Sequence, residues 1–400
     1  MNIGWHADLG QTNCFVSYTK KSDTNWTQAL KATGTFERSE VFNGISSKTP
    51  EGKDFNEQAV FLDYGVTLTG LERDTDYIYK VCAGSNVCSA LHRFRTAGAK
   101  EFSFAWIGDF HAYTPLPKRM SNAVAVLNAA FAVDTNVSFV FSTGDVVAWG
   151  GSYSFWQNLY DQDFIKDHMY ANVLGNHDNM MRNKGVKPDF FRVANNFPRN
   201  GYKGQEGVCY WFLYGDVLFF TFNNEVMYQN PAEQKAAQDW AGGVIKKLKG
   251  KYRYIFISEH YQWFNGRNGA TSWYANWKDF CDEHHVTLAL SGNNHIYERT
   301  RPLYHDQVVA EGKGTVYMEV PSSDGDRGVE AGKITQNVEK LAYTYSSHVQ
   351  SGNGTAHEVK TIGCVLVKVG PDGIGTKLVY LDEKGEHVAD EWAGKVVGSR

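Results

Sequence analysis

The stretch Tyr170-Ala171-Asn172-Val173-Leu174-Gly175-Asn176-His177-Asp178 places oxygen and imidazole side chains directly after an apolar run of strand length. Four further stretches repeat this arrangement, in which a run typical of a buried strand ends at residue types that bind metals. They are Gly108-Asp109-Phe110-His111, Gly144-Asp145, Glu259-His260-Tyr261 and Gly292-Asn293-Asn294-His295. Because open α/β sheets collect their sites at the carboxyl ends of strands, we expect the five stretches to meet.

The composition indicates a folded protein of two domains. At 400 residues the chain exceeds the size of one ordinary hydrophobic core. An aromatic content of 14% favours packed sheets over disorder. The net charge of −4, with both signs interspersed, argues against a nucleic-acid-binding patch. No apolar run approaches the ~20 residues of a membrane-spanning helix, so we expect no membrane span.

Residues 1–97 are predicted to form an all-β domain, followed by a short linker. The segment from Leu71 to Tyr77 resembles the turn before a late strand of fibronectin type III domains, which are sandwiches of about seven short strands. Cys82 and Cys88 flank a loop typical of a hairpin, and both a disulfide and two buried thiols remain open. Strand-like runs cover Asn13 to Tyr18, Ala59 to Leu68, Asp76 to Cys82 and Cys88 to Arg95.

Residues 101–400 are predicted to form a second domain, in which strands alternate with helices. The spacing predicts helices over Lys118 to Val133 and Ala232 to Lys249, and hairpins over Tyr210 to Phe222 and Val365 to Leu381. This order favours two packed sheets covered by helices over a single Rossmann sheet. Buried strands are predicted over Phe102 to Ile107, Ser138 to Thr143, Tyr170 to Leu174, Tyr252 to Ser258 and Val286 to Ser291.

The candidate ligands offer oxygen and nitrogen atoms and no thiolate. Asp109 and His111 are two residues apart, so both side chains can point the same way from an extended segment. Such a set suits Zn, Mn, Fe or Co rather than an iron–sulfur centre. The other candidates are the carboxylate of Asp145, the amide of Asn176 and the imidazoles of His260 and His295.

The order of these motifs resembles that of the calcineurin-like metallophosphoesterases, and most closely that of purple acid phosphatase-like proteins. The resemblance covers almost the whole chain, and Gly175 to Asp178 and Gly292 to Arg299 are its most specific parts. It implies an α/β (α+β) protein, with an N-terminal fibronectin-like sandwich before a four-layer α/β/β/α catalytic domain. It also implies one or two divalent or transition metal ions (Zn, Mn or Fe) that activate water against a small phosphate ester.

The resemblance also assigns roles to individual residues. Asp109, His111 and His295 would hold the first metal, Asp145 would bridge, and Asn176 and His260 would hold the second. His177 would donate a proton to the leaving oxygen, and Asp178 would orient His177. The family also implies a secreted or periplasmic location, with the signal peptide removed, whereas the substrate and the oligomeric state are not predicted.

Two positions depart from the family pattern. Purple acid phosphatases have an iron-bound tyrosine three residues after the bridging Asp, and this chain has Ala148 there, so we expect no purple ferric–tyrosinate colour. Asn293 stands where the family commonly has a histidine ligand of the second metal. Three interpretations remain open: Asn293 is a ligand, the second metal is weak or absent, or the chain is a deliberately disabled variant. The alternative function that Asn293 supports is a binding protein with a degenerate, weakly active phosphoesterase domain.

Several residues near the motifs are candidates for substrate contacts. We predict that Arg299 reaches a phosphate and that Tyr261, Tyr297 and Glu225 line a pocket, although packing in the core explains the two rings equally well. The polar segment from Ser322 to Arg327 is a candidate for the rim of the site.

Overall fold

The computed structural model describes residues 1–48, 54–84, 87–98, 100–179, 190–265, 269–325, 339–346 and 362–394. The N-terminal part is all-β, as predicted. Its strands are β1 (Asn2–Ala7), β2 (Cys14–Lys20), β3 (Leu30–Thr33), β4 (Thr35–Lys48), β5 (Asp54–Thr67), β6 (Asp76–Ala83), β7 (Val87–Cys88) and β8 (His92–Arg95).

These strands form two antiparallel sheets that pack face to face. One sheet has the order β1-β5-β4, and the other has the order β3-β2-β6-β7 with β8 also paired to β6. Val16, Tyr77 and Phe94 are buried between them. Cys82 and Cys88 stand opposite each other on β6 and β7 and form a disulfide, which settles the open question about these cysteines. The specific likeness to fibronectin type III stays a prediction.

The rest of the described chain alternates strands and helices. Its helices are α1 (Lys118–Val133), α2 (Tyr153–Tyr160), α3 (Asp163–Lys166), α4 (Phe190–Ala194), α5 (Asn224–Met227), α6 (Pro231–Lys247) and α7 (Ser272–His284). Its strands are β9 (Phe102–Ile107), β10 (Val137–Ser142), β11 (Met169–Asn172), β12 (Tyr210–Tyr214), β13 (Val217–Thr221), β14 (Tyr254–Ser258), β15 (Phe264–Asn265), β16 (Gly269–Ala270), β17 (Leu288–Ser291), β18 (Ile296–Thr300), β19 (Leu303–Tyr304), β20 (Gln307–Val308), β21 (Val316–Glu319), β22 (Leu341–Ser346), β23 (Ile362–Gly370), β24 (Gly373–Asp382) and β25 (Gly385–Gly394).

Two sheets and two helical layers form the predicted α/β/β/α sandwich. The first sheet has the order β11-β10-β9-β23-β24-β25, and the second has the order β12-β13-β14-β17-β21-β18-β22. Helix α1 packs on the outer face of the first sheet, and α6 and α7 pack on the outer face of the second. Phe104, Phe219 and Phe256 meet in the core between the sheets, with ring centroids 5.1–6.3 Å apart.

Burial on both faces explains why the central strands are continuous apolar runs. Every residue of β9, β14 and β17 is buried, because parallel strands covered by helices on one side and by a second sheet on the other meet no solvent. The helix over Lys118–Val133 and both predicted hairpins are confirmed. The domain limits of 1–97 and 101–400 stay predictions. None of the described helices is both long and apolar enough to cross a membrane.

A buried ion pair ties the two sheets together. The guanidinium of Arg299 on β18 donates from Nε and Nη2 to the two carboxylate oxygens of Asp390 on β25, at 2.7 and 2.6 Å. The hydroxyl of Tyr297 donates to the same carboxylate at 2.7 Å. The Arg299 and Asp390 side chains are only 10% and 6% exposed, so each charge depends on the other for the hydrogen bonds that water would otherwise supply.

We expect Arg299→Met to lower the free energy of unfolding by about 3–5 kcal/mol, because Asp390 is then left buried without its counter-charge. Urea denaturation measures the change. The double variant Arg299→Met/Asp390→Asn should recover part of the loss. A matched change in an exposed pair, Lys235→Met beside Asp239, should cost less than about 1 kcal/mol. Equal losses in Arg299→Met and Lys235→Met would contradict the buried-pair assignment.

Candidate metal centre

The predicted ligands come together at one end of the sandwich, where strands of both sheets end. The segments that carry them follow β9, β10 and β11 of the first sheet and β14 and β17 of the second. Ligand atoms within 4.8 Å of one another occur in three groups among the described residues: Asp109, His111 and His295; Asp109, Asp145 and His260; and His111, Asp145 and His177. The expected convergence of the five sequence stretches is therefore observed.

Asp145 lies between the two halves of this cluster. One carboxylate oxygen of Asp145 is 3.2 Å from His111 Nε2, and the other is 3.3 Å from His260 Nε2. On one side of the cluster, His295 Nε2 is 3.6 Å from an Asp109 oxygen. On the other side, Asn176 Oδ1 is 3.1 Å from His260 Nε2. This is the arrangement expected of a bridging carboxylate with one ligand set on each side.

The backbone that carries the cluster is strained. Five residues here other than glycine have φ between +44° and +72°, a region that costs L-residues about 1–3 kcal/mol each. Such strain persists only where the surrounding structure fixes the backbone, and it concentrates at functional sites. The five residues are Asp109, His111, Asp145, Asn293 and His295.

Glycine is required where the ligand segments approach each other most closely. A Cβ at Gly292 would lie 2.5 Å from Asp109 Oδ2. A Cβ at Gly175 would collide with the backbone nitrogen and the carboxylate of Asp145. The glycines that open these two motifs therefore make room for the carboxylates of other segments, which is a packing reason for their place in the pattern.

Opposite charges balance one another inside the cluster. Burial disfavours a charged His260 ring, but the carboxylates of Asp145 and Asp109 outweigh burial and raise the pKa of His260 to about 10. Burial opposes ionisation of Asp145 as well, yet the rings of His260 and His111 hold its pKa well below the usual range. Burial raises the pKa of Asp109. The cluster thus concentrates ionisable groups with shifted pKa values in a largely buried site, as functional sites do.

Outer partners fix the orientation of three imidazoles. His111 Nδ1 lies 3.0 Å from the buried carboxylate of Asp324. His260 Nδ1 donates to the Thr143 carbonyl at 2.7 Å, and His177 Nδ1 donates to the Ala148 carbonyl at 2.9 Å, since a carbonyl can only accept. In each ring Nδ1 contacts the outer partner, so Nε2 is the nitrogen that faces the cluster. Proteins orient metal-binding histidines by the same kind of outer hydrogen bond.

Asp324 is a functional candidate to which the sequence alone gave no role. The segment from Ser322 was predicted only as a rim, and Asp326 and Arg327 of that segment lie outside the described residues. The side chain of Ser322 donates to the Asp109 carbonyl at 2.8 Å, so this segment lies beneath the ligands. The Asp324–His111 pair joins positions 213 residues apart, a separation that no local motif reveals.

Asp178 binds the backbone of the loops around the site. Its carboxylate accepts hydrogen bonds from the N–H groups of Val146, Val147 and Gly175 at 2.9–3.1 Å. Burial raises the pKa of Asp178 to about 7. The His177 ring donates to the Ala148 carbonyl and also contacts the rings of His111 and Trp149. Asp178 holds together the loops that carry Asp145 and His177, and its orientation of the His177 ring stays a prediction.

Asn293 is connected to both halves of the site. Its backbone N–H donates to the two carboxylate oxygens of Asp109 at 3.1 Å. Its side-chain amide donates to Gln262 Oε1 at 2.6 Å. Gln262 is two residues from His260, a predicted ligand of the second metal. The hydrogen bond therefore links the His260 segment to Asn293, the position where the family commonly has a second histidine ligand for the same metal.

The predicted substrate contacts divide into two groups. Tyr261 donates to Glu225 at 2.8 Å and stacks on Trp273 beside His260, so Tyr261 and Glu225 remain candidates for the rim. Arg299 and Tyr297 face the core between the sheets, where both bind Asp390, and we no longer assign them to substrate. The sequence could not show which face of β18 carries Tyr297 and Arg299, because both faces of this strand are buried.

The donor set fits divalent metal ions. Carboxylate oxygens, one amide oxygen and imidazole nitrogens suit Zn, Mn or Fe, and the described cluster contains no thiolate. Two sides of one carboxylate, Asp145, each face an imidazole, which suits a pair of cations better than a single one. The four-layer fold and this donor set together define a metallophosphoesterase-like domain.

Sequence comparison agrees with the structural class. Residues 1–96 match the purple acid phosphatase N-terminal domain, and residues 102–297 match the calcineurin-like phosphoesterases. This match assigns residues 102–297 to the calcineurin-like phosphoesterases. Two uncharacterised proteins of Mycobacterium tuberculosis, from strains CDC 1551 and H37Rv, are each 23% identical over 267 residues. Those alignments cover 59% of this chain and 50% of each relative, so the chain spans about half the length of the curated relatives it matches.

Solved structures share the fold at low sequence identity. The purple acid phosphatase PPD1 from yellow lupin (Lupinus luteus) seeds is 16% identical, with a TM-score of 0.66 over 98% of this chain and 71% of that one. The structure of PhoD is 11% identical, with a TM-score of 0.56 over 96% of this chain and 87% of that one. Likeness at these identities shows the fold alone.

We expect Asp324→Asn to weaken metal binding about 10–100-fold, because His111 loses the carboxylate that fixes its ring and raises its basicity. Calorimetric titration with Zn²⁺ and with Mn²⁺ measures the affinity. Asp382→Asn is the matched control, because Asp382 also contacts a histidine, His387, at 2.8 Å, on a different part of the chain. An affinity that is the same in both variants would rule out a role for Asp324 at the centre.

Proposed function

We propose that this chain hydrolyses phosphate esters at a metal centre held by Asp109, His111, Asp145, Asn176, His260 and His295. The observation that carries the proposal is the position of Asp145, whose two carboxylate oxygens each face a different imidazole within 3.3 Å. When bound, divalent ions would neutralise phosphate charge and lower the pKa of water. Membership of the calcineurin-like phosphoesterases supports the reaction class.

His177 is the proposed proton donor. Its Nδ1 donates a hydrogen bond to the Ala148 carbonyl, and its Nε2 lies 4.0 Å from an Asp145 oxygen. The side chain is 14% exposed, whereas those of His111 and His260 are fully buried. His177 is therefore the most exposed imidazole of the cluster, ahead of His295 at 9%, and its protonated Nε2 can donate a proton to the leaving oxygen of the ester.

The carboxylates and the loop backbone have separate tasks. Asp145 and Asp109 supply the negative charge that holds cations, and Asp178 keeps the loops of Asp145 and His177 together. Tyr261 and Glu225, half-buried beside His260, are the proposed contacts for the alcohol part of the ester. Monoesters and diesters both remain candidate substrates. A secreted or periplasmic location is proposed from the Cys82–Cys88 disulfide, since disulfides persist in oxidising compartments.

Removal of the metals with a chelator should abolish hydrolysis of p-nitrophenyl phosphate and of its bis-ester, and Zn²⁺, Mn²⁺ or Fe²⁺ should restore it. The reason is that metal-bound water is the proposed nucleophile, and that cations offset the repulsion between the carboxylates of the cluster and the phosphate group. Metal content and initial rates are measured on the same samples. A protein that binds these metals and remains inactive on both esters would refute the proposed function.

A second function is favoured by Asn293, which replaces an imidazole by an amide that binds zinc more weakly. In this alternative the chain is a binding protein whose phosphoesterase domain is degenerate. Asn293→His should then raise Zn²⁺ affinity and create hydrolysis where the unchanged chain has none. Asn294→His, one residue further along, is the control for adding an imidazole near the site. Efficient turnover by the unchanged chain would exclude the alternative.

A further inference from the structure

The N-terminal sheet makes a specific contact with the helix that follows the Asp145 segment. The carboxylate of Glu57 on β5 accepts hydrogen bonds from the backbone N–H of Ser154 and from Ser154 Oγ, the latter at 2.7 Å. Ser154 is in the first turn of α2, which begins only eight residues after Asp145. We propose that Glu57 is a positioning residue, through which the N-terminal part holds the loop that orients His177.

The contact has the character of a helix cap supplied by a distant part of the chain. The first turn of α2 has no acidic residue of its own. Glu57, 97 residues away in sequence, supplies the missing acceptor. A carboxylate is favoured at this end because the first N–H groups of a helix are unpaired and the helix dipole is positive there.

Ring packing reinforces the hydrogen bonds. Phe61, on the same strand as Glu57, stacks on Tyr153 of α2 with ring centroids 4.6 Å apart. His6 on β1 lies 5.5 Å from the same tyrosine ring. Phe61 is buried among residues of the first sheet and of α1. The N-terminal part is therefore anchored on α2 by buried rings as well as by Glu57.

A continuous chain of hydrogen bonds leads from α2 to His177. The indole of Trp156 on α2 donates to the Gly150 carbonyl at 2.8 Å. The Gly150 N–H donates to the His177 carbonyl at 2.8 Å, and the Ala148 carbonyl accepts from His177 Nδ1. The loop from Ala148 to Gly150 thus holds His177 by its backbone and by its ring, and α2 holds that loop.

The position of this loop matters for one step of the proposed reaction. The Ala148 carbonyl fixes the ring plane of His177 and therefore the direction of Nε2. The Asp145 carboxylate faces His111 and His260, and Asp178 holds the backbone that follows Asp145 independently of α2. A displacement of about 1 Å in a reacting group can cost about 100-fold in rate. Loss of Glu57 should therefore impair proton donation more than it impairs substrate or metal binding. This consequence rests on the proposed function, but the contact between Glu57 and α2 does not.

The first measurement is independent of activity. We expect hydrogen–deuterium exchange of the amides in 150–160 to be about tenfold faster in Glu57→Ala, because hydrogen bonds to a charged acceptor hold the first turn of α2. Glu40→Ala is the matched control, since Glu40 is on the paired strand β4, is exposed, and bonds to Gln58. Equal exchange in the two variants would overturn the proposal.

The second measurement separates positioning from simple stabilisation. With metals bound, Glu57→Ala should lower kcat about tenfold on an alkyl phosphate, whose leaving oxygen needs a proton, and less than twofold on p-nitrophenyl phosphate, with KM unchanged. Glu57→Gln, which keeps an acceptor oxygen, should recover part of the loss. Equal losses on both substrates, or none, would reduce Glu57 to a purely structural residue and overturn the proposal.

Controls distinguish the remaining outcomes. If Glu57→Ala does not fold, Glu57→Gln and Ser154→Ala weaken the same contact from its two sides and replace it in both measurements. Faster exchange in these variants alone, with no change in Glu40→Ala, supports the contact. If the unchanged, metal-loaded chain hydrolyses no phosphate ester, the proposed function fails, while the exchange measurement still decides whether Glu57 holds α2.

Discussion

A single buried carboxylate, that of Asp145, organises the centre. It faces His111 through one oxygen and His260 through the other, and the same carboxylate accepts the backbone N–H of His177 at 2.8 Å. An isolated buried carboxylate is costly, so Asp145 is tolerable only because cationic or hydrogen-bonding groups surround it. The surrounding groups come from both sheets of the sandwich. The charge balance around Asp145 therefore requires the two sheets to be packed in one fixed relation, which the core of Phe104, Phe219 and Phe256 provides.

The rigidity of the sandwich also explains how the strained ligand segments persist. Five positive-φ residues in one cluster represent several kcal/mol of local backbone energy. Each follows a strand that is buried on both faces, so the strand ends cannot relax without disturbing the cores on either side. Glycines at 175 and 292 complete this arrangement by allowing carboxylates to approach the neighbouring backbone. Strain, packing and ligand geometry thus depend on one another.

Sequence patterns predicted what depends on local order and failed where distant strands decide. The apolar runs predicted the strands, and the residues that follow them predicted the ligands. This worked because the carboxyl ends of neighbouring parallel strands lie at the same edge of a layered α/β fold. Arg299 and Tyr297 were misassigned because β18 has two buried faces, and alternation says which side chains share a face but not which face meets the ligands. Asp324, Gln262 and Glu57 act through partners that are between 31 and 213 residues away. Such pairs follow no fixed sequence spacing, so they are identified only from the folded structure.

The contact at Glu57 changes how the two parts of the chain relate to each other. A separate binding module would require only an interface large enough to hold it. That interface would not need to lie on a helix connected to the metal centre. Here the interface falls on α2, whose Trp156 binds Gly150 and whose preceding loop holds His177. The cap on α2 is supplied by the N-terminal sheet, while the first turn of α2 carries no acidic residue of its own. Without the N-terminal sheet, the first turn of α2 would lose the carboxylate that accepts its N–H, close to the loop that holds His177. In the proposed function, the N-terminal sheet therefore belongs to the same unit as His177.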